Sequence, residues 1–82
     1  MTENEMRHTM LQALEEWSGQ HYADDDALAI TRDNFDDTAV FLNSHKTSHG
    51  ELKFYILGET RMNIVLDFGE HRAVFFHGEF ID

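Results

Sequence analysis

The chain has 82 residues, sixteen Asp and Glu against six Lys and Arg, a net charge of −10, and neither Cys nor Pro. Such a length supports one domain. The lack of Cys excludes disulfide staples, thiolate metal sites and a Cys nucleophile, and six scattered bases are too few to replace counterions on nucleic-acid phosphates or to hold an anionic membrane surface.

The opening stretch, MTENEMRHTM, is polar and acidic, unlike a signal peptide, and no run approaches the ~18 apolar residues of a membrane span. A cytoplasmic protein is the default expectation. Thr2 and Glu5 have the spacing of a capping box. Met6, Met10, Leu14 and Trp17, with Leu11 beside them, recur at helical period and form one apolar stripe. Glu3 and Glu5 suit the positive end of a helix dipole, and Gly19 is a natural stop. The spacing predicts an amphipathic helix over residues 3–18.

From Ala27 the period changes. ALAIT and TAVFLN read as short strands with RDNFDD as a turn between them. ELKFYILG, RMNIVLDF and HRAVFFHGEF read as stronger strands, rich in Phe, Ile, Val and Tyr. The separators NSHKTSHG, GET and GEH each hold Gly among polar residues, and links this short favour antiparallel neighbours. The expected fold is α+β, with the N-terminal helix packed on an antiparallel meander of four to five strands between residues 27 and 81.

These strands alternate poorly. Leu52, Phe54 and Ile56 share one face, and Lys53, Tyr55 and Leu57 the other. Met62, Ile64, Leu66 and Phe68 oppose Asn63, Val65 and Asp67, while Ala73, Phe75 and His77 oppose Val74 and Phe76. Both faces therefore carry large apolar groups, and one helix covers only one of them. The second face must curl on itself, meet a second copy through the sheet face or an edge, or meet a ligand or partner.

The densest charge is in HYADDDALAITRDNFDD. Asp24, Asp25, Asp26, Asp33, Asp36 and Asp37 fall within fourteen residues, with Arg32 the one base among them. No register of this run satisfies an EF-hand loop, because the positions that need oxygen ligands are filled by Ala, Leu and Phe and the required Gly is missing. A catalytic carboxylate pair needs an apolar cleft to raise one pKa, and nothing in the sequence places one here. These acids are read as a solvated charge run, or as a docking surface for a basic protein in which spaced carboxylates imitate a line of phosphates. An inhibitor, immunity protein or nucleic-acid mimic would use such a surface.

His45 and His49 stand four apart, but in a Ser-, Thr- and Gly-containing link rather than a helix, so no metal site is assigned to them. His71 and His77 share a side of the last strand unless a bulge intervenes, and Gly78 is placed to make one. His8 and His21 are given no role. Ser18, Ser44 and Ser48 lack a nucleophile elbow. Phosphate-binding Gly motifs are absent, and an aromatic RNA-binding sheet would need bases that the chain lacks. No catalytic residue, cofactor or metal is expected. Three readings follow. The first is a non-enzymatic acidic interaction module, the second a homodimeric structural domain. The third is a small ligand-binding or enzymatic domain with a pocket between helix and sheet, lined by Trp17, Tyr55 and His77.

Overall fold

The structure is a computed structural model that describes residues 2–23, 26–58 and 61–79, the last four through their backbone. Helix α1 runs Glu3–Ser18, as the spacing predicts. Thr2 Oγ1 accepts the Glu5 N–H at 3.2 Å, and Glu5 Oε1 accepts the Thr2 N–H at 3.1 Å, which completes the capping box. At the other end Gly19 takes φ 73° and its N–H donates to the Glu15 carbonyl. A side chain in that left-handed conformation would be strained.

Five strands follow: β1 (Ala27–Thr31), β2 (Val40–Thr47), β3 (Gly50–Leu57), β4 (Arg61–Asp67) and β5 (His71–Glu79). They form one antiparallel sheet in the order β1-β5-β4-β3-β2. The last four strands make the expected meander. β1 does not open that meander but pairs with β5 at the far edge, Ala27 opposite Phe75 and Thr31 opposite His71. Every neighbouring pair is antiparallel, so β1 and β2 point the same way at opposite edges. The segment 32–39 is therefore not a tight turn but a crossover spanning the whole sheet. Parallel strands need such a connection, and the short polar RDNFDD gives no sign of it.

β2 is also longer than expected. It continues through Asn43 to Thr47, and Ser48 and His49 alone form the loop to Gly50. Two register shifts interrupt the ladders. Leu42 is an extra residue between Phe41 and Asn43, and His77 is an extra residue between Phe76 and Gly78. The second is the bulge expected near Gly78, and it removes His77 from simple alternation with His71.

One face of the sheet carries Ala27, Leu52, Phe54, Ile64, Leu66, Ala73 and Phe75, and α1 lays Met10, Leu11, Ala13 and Leu14 against it. The helix lies chiefly over β1 and β5. There the sheet offers the small side chains Ala27 and Ala73, so the backbones can approach closely. Over β3 and β4 the larger Leu52, Phe54, Ile64 and Leu66 fill a wider gap, and Trp17 meets Phe54 edge-on at 5.0 Å. This layer is packed solid: Met10, Leu14, Leu52 and Ile64 have no exposure.

The C-terminal turn of α1 is fastened to the β2–β3 hairpin. The Glu16 carboxylate accepts both the Ser48 N–H, at 2.7 Å, and the Ser48 hydroxyl. These bonds, the hydroxyl first, hold the Glu16 carboxyl below its ordinary value of 4.5, with His49 and His45 adding a smaller attraction. A depressed pKa means that the fastening stabilises the fold above the ordinary value and is lost as pH falls through the folded one. Glu16→Gln should lower the melting temperature at neutral pH, and the gap should close in acid. A gap that persists in acid would show that shape, not charge, sets the contact.

Candidate interaction surfaces

The crossover is the feature that the second face of the sheet had to be completed by. Tyr55 on β3, Val65 and Asp67 on β4, and Arg72 on β5 all point away from α1, by the alternation of the ladders. Phe35, the lone apolar residue of RDNFDD, lies on this face. Its ring meets Tyr55 edge-on at 5.1 Å, and the Arg72 guanidinium carbon stands 4.9 Å from its centroid. Such ring–ring and cation–ring contacts each add about 1 kcal/mol beyond burial. Val65, between Tyr55 and Arg72 in the sheet, is completely buried although no helix covers it.

Arg72 is held from a second side by Asp67, whose Oδ2 is 3.9 Å from its Nη2. Asp67 Oδ1 also accepts the Gly69 N–H at 3.0 Å. Gly69, with φ 83°, lies in the bend between β4 and β5, across which the Phe68 N–H donates to the His71 carbonyl, and a side chain in that left-handed conformation would be strained. The Arg72 Nε is buried without a hydrogen-bond partner among the described residues. The crossover therefore covers the part of the second face around Tyr55, Val65 and Arg72, while Leu28 and Phe41 at its two edges stay exposed.

That route decides where the candidate acids go. Asp33, Asp36 and Asp37 ride together on the crossover, all exposed, with Phe35 anchored among them. Asp26 is exposed at the opposite end of β1, where its Oδ2 accepts the Ala23 N–H at 2.8 Å. Asp24 and Asp25 lie outside the described residues. The four described acids are not equivalent. Asp36 Oδ1 accepts the Thr38 hydroxyl at 2.6 Å and the Thr38 N–H at 2.9 Å. Those bonds hold the Asp36 carboxyl below its ordinary value, the hydroxyl contributing most. Asp26 and Asp36 thus shape their own turns. No side-chain hydrogen bond of Asp33 or Asp37 holds either to the backbone among the described residues, and both are open to a partner. A second acidic surface, Glu3, Glu5, Glu15 and Glu16, lies on the exposed side of α1 across the sheet.

Of the residues expected to line a pocket between helix and sheet, Trp17 and Tyr55 are not brought together. Trp17 packs on the helix face, and Tyr55 is on the other, against Phe35 and Phe41. The alternation of ELKFYILG puts Phe54, on which Trp17 packs, and Tyr55 on opposite faces, so Trp17 and Tyr55 cannot line one cavity. The side chain of His77 lies outside the described residues. An open cleft does exist at the end of β1, lined by Thr31, Arg32, Asp33, Gly69, Glu70 and His71. His45 is on β2 and His49 in the hairpin loop. Among the described residues no three His, Asp or Glu side chains group as a metal site requires, and no helix is long and apolar enough to cross a membrane.

Sequence reasoning read TAVFLN as a short strand but missed that its apolar residues stand exposed. Val40, Phe41 and Leu42 stand half exposed in succession. Three adjacent apolar residues break the alternation of a strand covered on one face, and that was their one signal. Comparison with family models, with curated proteins and with solved structures finds no match.

Proposed function

We propose that this protein is a non-enzymatic interaction module that docks a basic protein surface onto its acidic crossover, with Asp33 and Asp37 as the primary contacts. The observation that carries this reading is the mounting of those carboxylates. Phe35 pins the segment that bears them to the sheet, so the acids are presented from a fixed position with little ordering left to lose on binding. The net charge of −10 supplies a long-range field that attracts a basic partner. An inhibitor or a mimic of nucleic-acid phosphates would act in this way, by covering the cationic surface of its target.

The test has two stages. Affinity capture from cell lysate, eluted in salt steps, identifies the partner. Association kinetics with that purified partner then decide the surface. The association rate should fall by about tenfold or more between low and high salt, because steering by charge is screened. Asp33→Asn with Asp37→Asn should slow association several-fold and leave the melting temperature nearly unchanged, since neither carboxylate holds a turn. Salt-independent association, or association unaffected by the double variant, would rule out this surface.

A further inference from the structure

Among the described residues, three of the four exposed large apolar side chains lie on β2, and the fourth, Leu28, is on β1. Val40, Phe41 and Leu42 retain 59, 52 and 47% of their surface. They sit at the edge farthest from β1, away from β1 and β5, over which α1 chiefly lies. From Thr38 onward charge also sets this edge apart, with Asp36 and Asp37 at its near end. Residues 38–50 contain no Asp or Glu, the longest acid-free run in a chain with sixteen of them, and they carry one Lys. Two copies of a −10 molecule repel least where this edge of one faces the same edge of the other. An acidic partner would call for a cluster of bases at the centre of the patch, and the centre here is apolar. A basic partner is drawn to the crossover and α1 instead.

We infer that the N-terminal half of β2 is a self-association surface, on which a second copy of this chain packs about a two-fold axis. The contact is isologous, Val40 and Leu42 of each copy meeting the same patch of the other, so it closes at the dimer. It rests on side-chain packing more than on a long shared ladder. The bulge at Leu42 and the charge of Lys46 are devices that keep an edge strand from open-ended pairing. The patch is small, which places the dimer among weak, reversible assemblies. The patch adjoins the acidic crossover, since Phe41 and Phe35 pack on the same Tyr55 ring, but salt separates the two kinds of binding. Added salt weakens a basic partner's binding but strengthens self-association, by screening like charges.

Sedimentation equilibrium tests it. The mass should rise from 9.6 kDa toward twice that value as concentration increases from about 5 to 500 µM, a range suited to a small interface, and the rise should come earlier at higher salt. Leu42→Glu puts an acid into the patch of both copies and should raise the concentration for half-dimerisation by about tenfold or more. Leu28→Glu, at a more exposed position but on β1, should leave it unchanged. Circular dichroism checks that both variants fold. As a check that does not depend on a new charge, Leu42→Cys in this Cys-free chain should give a cross-linked dimer with a short thiol-reactive reagent, and Leu28→Cys should not. Monomer at every concentration, a dimer indifferent to Leu42→Glu, or equal cross-linking through position 28 would overturn the inference.

Discussion

Phe35→Ala should destabilise the protein by about 2 kcal/mol, below the 3–5 of a fully buried ring because Phe35 is half-buried. Two losses combine. Tyr55 loses its edge contact, and the Arg72 guanidinium keeps only the long approach to Asp67. The crossover also loses the one apolar residue between Arg32 and Asp37 that ties it to the sheet. Urea unfolding measures the first effect. Binding of an apolar dye to the native protein measures the uncovering of the second face. Phe35→Leu should recover part of the stability by restoring apolar volume, but not the ring contacts. If the crossover presents the acids of a docking surface, Phe35→Ala should also slow partner association although no charge has changed. A stability change within about 0.5 kcal/mol, the range of an ordinary surface substitution, would mean that Phe35 is not an anchor.

Leu14→Ala carries a larger penalty, about 3 kcal/mol. Leu14 has no exposure and sits in the middle of α1 against the sheet. Ala is at least as good a helix former, so the substitution leaves the backbone content and removes only the side chain. The cost is the lost transfer energy plus the cavity. A domain of 82 residues has a total stability of about 4–12 kcal/mol, so this one change takes a large share. Trp17 lies one turn away and meets Phe54 edge-on, and its fluorescence reports the transition directly. Leu28→Ala, on an exposed edge, should shift the same transition by less than about 0.5 kcal/mol. Similar losses at the two positions would contradict the layer assignment.

The legible parts of the sequence were those governed by local rules. The capping box of Thr2 and Glu5, the stripe of Met6, Met10 and Leu14 and the stop at Gly19 all act within a few residues, and α1 has the expected bounds. The same holds for the β3–β4–β5 meander and the bulge beside Gly78. What escaped was non-local. Nothing in ALAIT announces that its partner is β5, more than forty residues on, because pairing depends on which edge remains free after the meander forms. The crossover was hidden for that reason, and with it the role of Phe35. The acids of the candidate surface were visible as charge. Their division into turn-forming Asp36 and Asp26 and open Asp33 and Asp37 required the hydrogen bonds.

The crossover also orders the events of folding. The ladders from β2 to β5 join strands that follow one another in sequence, and each can close as a hairpin on the microsecond scale of such units. The β1–β5 ladder is different. Ala27 and Phe75 are 48 residues apart, and loop closure of that length gains nothing until the meander exists as a template. The N-terminal third of the molecule should therefore dock last, with β1 and α1 adding together to a preformed four-stranded sheet. Substitutions such as Leu14→Ala should then accelerate unfolding more than they slow folding, whereas substitutions in the β3–β4 hairpin should do the reverse. A connection that looks like a short turn in the sequence thus divides the molecule into an early and a late half.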